Sequence, residues 1–321
     1  MLTPVFIDPV QQEIVMQPAL LRQMLQITVL CLCALPALIS ASAAETQEPA
    51  KPKQVVYKST EDAKGKPVEL RLHVFKPEGW SAEDQRPAAV FFFGGGWVGG
   101  TPQQFYPHCR ELAALGIVAV SAEYRIKGKH GTSPLACVED GKSAVRYLRA
   151  NAKALGIDPN RIVAGGGSAG GHVAACTGVL NGFEAEDEDE DISSVPNLML
   201  LFNPVIDTSP KNGYGAKKVP GDDPLIISPL HHVRKAQPPS LIFHGDADNV
   251  VKIGSIRAFE KNSKKAGVSC NLVEYKGAGH GFFNHAQFRK PKQGDPDYFA
   301  LTMQETIAFL RHHGYIEQAS D

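Results

Sequence analysis

The stretch Arg161–Gly170, RIVAGGGSAG, passes from an apolar run directly into Gly166-Gly167-Ser168-Ala169-Gly170, after which the residues read as helix. A serine between glycines at such a junction requires a sharp strand-to-helix turn. The turn lifts the side chain above a sheet and sets a helix N-terminus behind it, which favours negative charge. Only a fold in which strands feed helices can supply that turn. The rest of the chain has this pattern. Val55–Ser59 and Val68–Phe75 read as two strands of a hairpin, with a Lys-Gly-Lys-Pro turn between them. The continuous apolar run Ala88–Phe93 reads as a strand covered on both faces. Helix Phe105–Leu115, strand Ile117–Ala122, helix Leu135–Leu155 and strand Arg161–Gly165 follow. Next come a helix from Ser168 and the strands Leu198–Phe202 and Leu241–His244. Helix Ile253–Ala266, strand Ser269–Tyr275 and helix Tyr298–His312 complete the order. This alternation predicts an α/β fold: an eight-stranded, mostly parallel sheet with helices on both faces. Sites in such sheets lie at the carboxyl ends of the strands.

The composition excludes several classes. Hydrophobic residues make up 43% and charged residues 21% of the 321, which rules out a disordered chain, a coiled coil and a multi-span membrane protein. Lys and Arg number 33 against 34 acidic residues. No basic excess is available to neutralise phosphates, so no nucleic-acid partner is expected. The acidic run Glu184–Asp191 leaves the remainder net basic. It lacks the glycine and the alternating ligands of a calcium loop, and reads as a solvated insertion.

No charge occurs between Arg22 and Glu45. Within that span Met24–Ile39 is strongly apolar and leads into Ser40-Ala41-Ser42-Ala43-Ala44. Small residues after an apolar core mark a signal peptide cleaved after Ala43 or Ala44. Residues 1–44 are therefore read as leader and 45–321 as a single domain, exported and without stable membrane insertion after cleavage. Residues 1–15 are poor leader material, and a start at Met16 gives a more ordinary signal. The competing reading is an uncleaved anchor, since the uncharged stretch could just span a bilayer. Cys31 and Cys33 would leave with the leader. No C-x-x-C pair exists among Cys109, Cys137, Cys176 and Cys270, so zinc and thioredoxin-like sites are not expected. The four read as buried small hydrophobes, although export would permit disulfides.

Ser168 needs a base. His280 lies in Gly277-Ala278-Gly279-His280-Gly281-Phe282, just past the last strand, where a loop can reach back over the serine. The acid is expected at the end of the preceding strand, in His244-Gly245-Asp246-Ala247-Asp248. Ser168, Asp248, His280 is the nucleophile, acid, base order of a hydrolase. A fourth component is Phe93-Gly94-Gly95-Gly96-Trp97 after the third strand. There, glycines let backbone N–H groups turn toward an oxyanion with no Cβ in the way.

With Glu123-Tyr124-Arg125, these segments make the chain resemble the α/β-hydrolases of the hormone-sensitive-lipase-like and acetyl-esterase group, which includes modules that deacylate plant polysaccharides. The resemblance spans residues 55–312 and implies the α/β-hydrolase fold. It assigns Ser168 as nucleophile, His280 as base and Asp248 as acid, on the spacing H-G-x-x-D-x-x-V. Asp246 and Asp207 are weaker candidates for the acid. The resemblance places oxyanion donors at Gly95, Gly96 and Ala169. One position departs: the family usually has His where this chain has Phe93, and that His helps hold the oxyanion loop. The implied activity is hydrolysis of short-chain esters, acetyl first among them, of a small molecule or polysaccharide, with no metal or organic cofactor. Lipase-like members carry a helical cap before the first strand. Here Glu45–Gln54 is too short for one, and Thr208–Pro239 reads as loop, so no large cap is expected. Two rival readings remain. A serine exopeptidase would share the acid and base segments, but that class usually has an aromatic residue where this chain has Gly167. The other is an exported sugar-binding protein with a dead site. Oligomeric state is not legible.

Protein recovered outside the cytoplasm should show an N-terminus at Ala44 or Glu45 by mass spectrometry; full-length, membrane-embedded protein would favour the anchor.

Overall fold

The computed structural model describes residues 51–318, apart from Asp222. Residues 1–44, read from the sequence as a leader and containing Cys31 and Cys33, lie outside the described residues.

Eight strands form one sheet: β1 (Lys53–Glu61), β2 (Pro67–Phe75), β3 (Arg86–Phe92), β4 (Val118–Ala122), β5 (Ile157–Gly167), β6 (Leu198–Phe202), β7 (Ser240–Gly245) and β8 (Cys270–Tyr275). Their spatial order is β1-β2-β4-β3-β5-β6-β7-β8. The hairpin β1–β2 joins β4 antiparallel, and every pairing from β4 to β8 is parallel. The expected eight strands in a mostly parallel sheet are all present.

Successive strand residues point to opposite faces, and each face has its own core. Ala88, Val90 and Phe92 of β3 pack on one side and Ala89 and Phe91 on the other. On the first side lie α3 (Pro134–Ala150), α5 (Ala169–Val179) and α6 (Ile253–Lys265), contributing Val138, Val173 and Phe259. On the second lie α1 (Tyr106–Ala114) and α7 (Tyr298–His312), contributing Leu112 and Leu310. Two further short helices are α2 (Lys127–His130) and α4 (Ala152–Leu155). The helix expected over Leu135–Leu155 is thus split in two. Asn151 leaves helical geometry at φ −103, ψ 20 and bonds its side-chain amide to the Tyr147 carbonyl, the local competition that makes Asn a poor helix interior residue.

Two polar clusters brace this frame. The Arg125 guanidinium grips the fully buried Asp140 carboxylate at 2.8 and 2.9 Å and reaches Glu139 at 2.7 Å. The Lys58 ammonium closes the cluster 3.0 Å from Asp140. The second corrects the reading of the acidic run as merely solvated. Glu184 pairs with Lys142 at 2.7 Å and with Arg146 at 2.5 Å, and Glu188 also pairs with Arg146 at 2.5 Å. Lys142 is almost fully buried. The insertion therefore neutralises two cations of α3 that would otherwise be buried unpaired, while the remaining acids face solvent. Cys109, Cys137, Cys176 and Cys270 are all free and buried.

His108 is fully buried among Phe91, Phe105, Phe202, Phe283 and Phe299. Burial, with a smaller contribution from His285, lowers its pKa to about 3. Burial likewise lowers His172 to about 4, against the opposing hydrogen bond to the Ile227 carbonyl. Both are neutral in the folded chain and take up a proton on unfolding below about pH 6.5. The stability they contribute is present above that pH. It is lost as pH falls toward 4, by about 1.4 kcal/mol per pH unit for each histidine. His108→Leu should remove one histidine's share of this slope, read as Tm against pH between 4 and 6.5; an unchanged slope would show that His108 does not contribute.

Candidate active site

The chemistry-bearing segments all sit at carboxyl ends of strands. Gly94–Gly96 follows β3, Ser168 follows β5, Asp248 follows β7 and His280 follows β8. The Ser168 turn is built by its neighbours. Ser168 has φ 54, a left-handed value that costs a non-glycine residue energy. Three backbone bonds hold it there: its N–H donates to the Phe202 carbonyl, and its carbonyl accepts from His172 and Val205. Gly170 makes the turn possible, since a Cβ there would lie 2.0 Å from the Phe92 carbonyl oxygen.

Ser168, His280 and Asp248 form one hydrogen-bonded series. The His280 Nε2 lies 2.8 Å from Ser168 Oγ, and its Nδ1 lies 2.7 Å from Asp248 Oδ2. With Nδ1–H donating to the carboxylate, Nε2 is left as acceptor for the serine proton. The Asp248 side chain is fully buried, and that of His280 is about a quarter exposed at 23%. Burial alone would raise the Asp248 pKa. The His280 hydrogen bond and the N–H groups of Val250 and Val251, the latter bonds at 2.8 and 2.9 Å, outweigh it and hold the carboxyl below its usual value. His244 braces the same loop, donating from Nε2 to the Val251 carbonyl at 3.0 Å. The other acidic candidates lie elsewhere. Asp246 is exposed and accepts from the Gly277 N–H at 2.6 Å. Asp207 accepts from the Ser209 N–H.

The glycine triplet lies beside the serine, since β3 pairs with β5. Gly95 adopts φ +127 and its carbonyl accepts from Val98 and Gly99. Its own N–H and that of Gly96 have no protein acceptor among the described residues. Ala169 is the first residue of α5, where helix N–H groups have no intrahelical partner. These are the three positions the sequence suggested for oxyanion donors. Phe93 does not hold the loop through its side chain. Its carbonyl accepts from the Tyr124 hydroxyl at 2.5 Å, and its ring stacks on Tyr124 at 4.3 Å.

The sequence reading gave no roles to Tyr124, Asn203, Gln104 or Lys218. Asn203, at φ 34 after β6, accepts from the Gly281 N–H at 3.0 Å and so anchors the residue after His280. Gln104 accepts from the Gly94 N–H at 2.6 Å. Lys218 donates to the Gly96 carbonyl at 3.2 Å. Tyr124 alone had a signal, as the centre of Glu123-Tyr124-Arg125. A cavity of about 610 Å³ opens beside the acid loop, between Val250, Val251 and Ser255 on one side and Lys211, Asn212 and Tyr214 on the other. Among the described residues no cluster of three His, Cys, Asp or Glu could hold a metal.

A BD-FAE family model matches residues 72–212, and a dienelactone hydrolase family model matches residues 214–314. The apo structure of Thermogutta terrifontis esterase 2 superposes with a TM-score of 0.77 at 42% identity, covering 84% of this chain and 98% of that one. Esterase LipC of Mycobacterium tuberculosis is 29% identical over 226 residues, 63% of this chain and 56% of LipC. Carboxylesterase NlhH of the same species is 26% identical over 230 residues, 63% of this chain and 68% of NlhH. The chain spans about half the length of LipC and of the related esterase LipQ. The chain belongs to the α/β-hydrolase superfamily. Within it, these matches place the chain among the hormone-sensitive-lipase-like esterases.

The geometry ranks the acids. With a nitrophenyl ester as substrate, Ser168→Ala should remove nearly all turnover and Asp248→Asn should lower kcat by about 10⁴-fold. Asp246→Asn should cost much less; the reverse ranking would reassign the acid.

Proposed function

We propose that the chain is a serine carboxylic-ester hydrolase. The observation that carries this reading is the Asp248–His280–Ser168 series, with bonds of 2.7 and 2.8 Å, at the ends of strands beside the glycine triplet. Ser168 Oγ attacks the ester carbonyl as His280 Nε2 takes its proton, and Asp248 holds the imidazole oriented. The N–H groups of Gly95, Gly96 and Ala169 receive the developing oxyanion, each such donor contributing about 3 kcal/mol. His280 then returns the proton to the leaving alcohol. Water, deprotonated by the same imidazole, attacks the acyl-serine and releases the acid.

The acyl group is short, acetyl to butyryl. Two observations support this. Among the described residues, the connection from β6 to β7 contains only the 3-10 turns Ala216–Lys218, Pro224–Ile227 and Pro229–His231, with no helix long enough to roof the site. A related solved structure, Thermogutta terrifontis esterase 2, holds propionate in one form and butyrate in another. With no cap among the described residues there is little apolar surface for a long chain, and each exposed methylene forgoes about 0.8 kcal/mol. The same openness admits a bulky alcohol. The cavity beside the acid loop offers Lys211, Asn212, Tyr214 and Ser255 as polar partners, suited to the hydroxyls of a polysaccharide such as acetylated xylan met outside the cytoplasm.

A series of nitrophenyl esters from C2 to C12, with acetylated xylan and aminoacyl anilides in parallel, tests this reading. The ratio kcat/KM should peak at acetyl to butyryl and be poor beyond octanoyl, with acetate released from xylan and no anilide cleaved. A steady rise to C12 would remove the short-acyl reading. Cleavage of anilides in preference to esters would favour an exopeptidase, and no turnover of any ester would leave a binding scaffold.

A further inference from the structure

The oxyanion loop and the base loop leave the sheet far apart. One follows β3 and the other β8, with β5, β6 and β7 between those strands. They are nevertheless joined by a continuous hydrogen-bonded series. The Gly94 N–H donates to Gln104 Oε1 at 2.6 Å, and Gln104 Nε2 donates to Asn284 Oδ1 at 2.8 Å. Asn284 Nδ2 donates to the Gly281 carbonyl at 2.8 Å, and the Gly281 N–H donates to Asn203 Oδ1 at 3.0 Å.

Both ends of the series dictate how the amides face. Gly94 offers only a donor, so Gln104 must present its oxygen there. The Gly281 carbonyl offers only an acceptor, so Asn284 must present its nitrogen. The atoms left over, Gln104 Nε2 and Asn284 Oδ1, are a donor and an acceptor facing one another. Flipping either amide breaks two bonds at once. The backbones beneath are fixed as well. Phe105 and Phe283, the chain neighbours of Gln104 and Asn284, are fully buried and stack with ring centroids 5.7 Å apart. Little side-chain freedom then remains to be lost when the amides meet.

We infer that Gln104 and Asn284 are positioning residues that lock the oxyanion loop to the base loop, a task Phe93 cannot perform because its side chain has no polar atom. The inference rests on the ester-hydrolase reading. By holding the Gly94 N–H, Gln104 withdraws it from the site and leaves Gly95 and Gly96 to face the oxyanion. By holding the Gly281 carbonyl, Asn284 fixes the residue after His280. Donors and base thereby keep one relative placement, which matters when the tetrahedral intermediate forms and little when substrate binds.

The test is a kinetic cycle of Gln104→Ala, Asn284→Ala and the double variant, with Gln104→Glu as the conservative change and Tm as a check on folding. Each alanine variant should lower kcat about 10-fold to 100-fold with KM within about two-fold. The double variant should be no worse than the poorer single one, because one series is broken in each case. Gln104→Glu keeps the acceptor for Gly94 but has no N–H for Asn284, so its kcat should fall between wild type and Gln104→Ala. Backbone amide exchange reads the same tie without turnover: Asn284→Ala should speed exchange at Gly94. Wild-type kcat in both alanine variants, or losses that simply multiply in the double variant, would overturn the inference. So would unchanged exchange at Gly94. A wild-type chain that turns over no ester defeats the ester-hydrolase reading instead, and the exchange measurement still decides whether the loops are tied.

Discussion

Everything at the site depends on the backbone at Ser168 staying at φ 54, a conformation a serine does not adopt freely. The strain is held by position. Parallel pairing of β5 with β3 and β6 clamps the turn from both sides. Three backbone hydrogen bonds to Phe202, His172 and Val205 then close it. Glycine at 170 lets α5 start within contact of the Phe92 carbonyl. A bulkier residue would push the helix away from β3, and with it the N–H of Ala169. The close approach of α5 to the β3 end thus sets both the exposure of the hydroxyl and the distance between the two halves of the proposed oxyanion site.

Around that point the protein keeps charge and strain apart. The ionic grouping Lys58–Arg125–Glu139–Asp140 joins β1, the segment after β4, and α3. The neighbouring residue Tyr124 carries that rigidity forward through its hydroxyl to the Phe93 carbonyl. At the site itself the buried carboxylate of Asp248 has bonds from His280, Val250 and Val251, so it stays ionised despite burial. An acid with fewer donors would be neutralised by desolvation and would lose its hold on the imidazole.

The departure at Phe93 shows how a loop can be held without the residue that usually holds it. The aromatic ring is absorbed into the core against Tyr124, and the polar work moves to Gln104, ten positions after the Gly94 whose N–H it holds. Nothing in the pattern around Gln104 marks it. It follows a proline and another glutamine in a 3-10 turn, and only the fold turns its amide toward Gly94.

The sequence by itself determined the layer structure and which residues could meet at the candidate site. Strand runs with period-two or continuous apolar character, glycines at the G-x-S-x-G turn, and His280 after the last strand are local signals, because each is imposed within a few residues by backbone sterics or by burial of one face. Their hydrogen-bonded meeting at 2.7 and 2.8 Å follows from strands ending on one edge. Tertiary structure decided what has no local cause. The place of β4 between β2 and β3 depends on which edges pair. Glu184 and Glu188 of the acidic run dock onto Lys142 and Arg146 because α3 buries those cations. Gln104 and Asn284 meet across 180 positions because the Phe105 and Phe283 rings share one core. Neither residue's neighbours in the chain carry that information, since the force that joins them acts only after the sheet has formed.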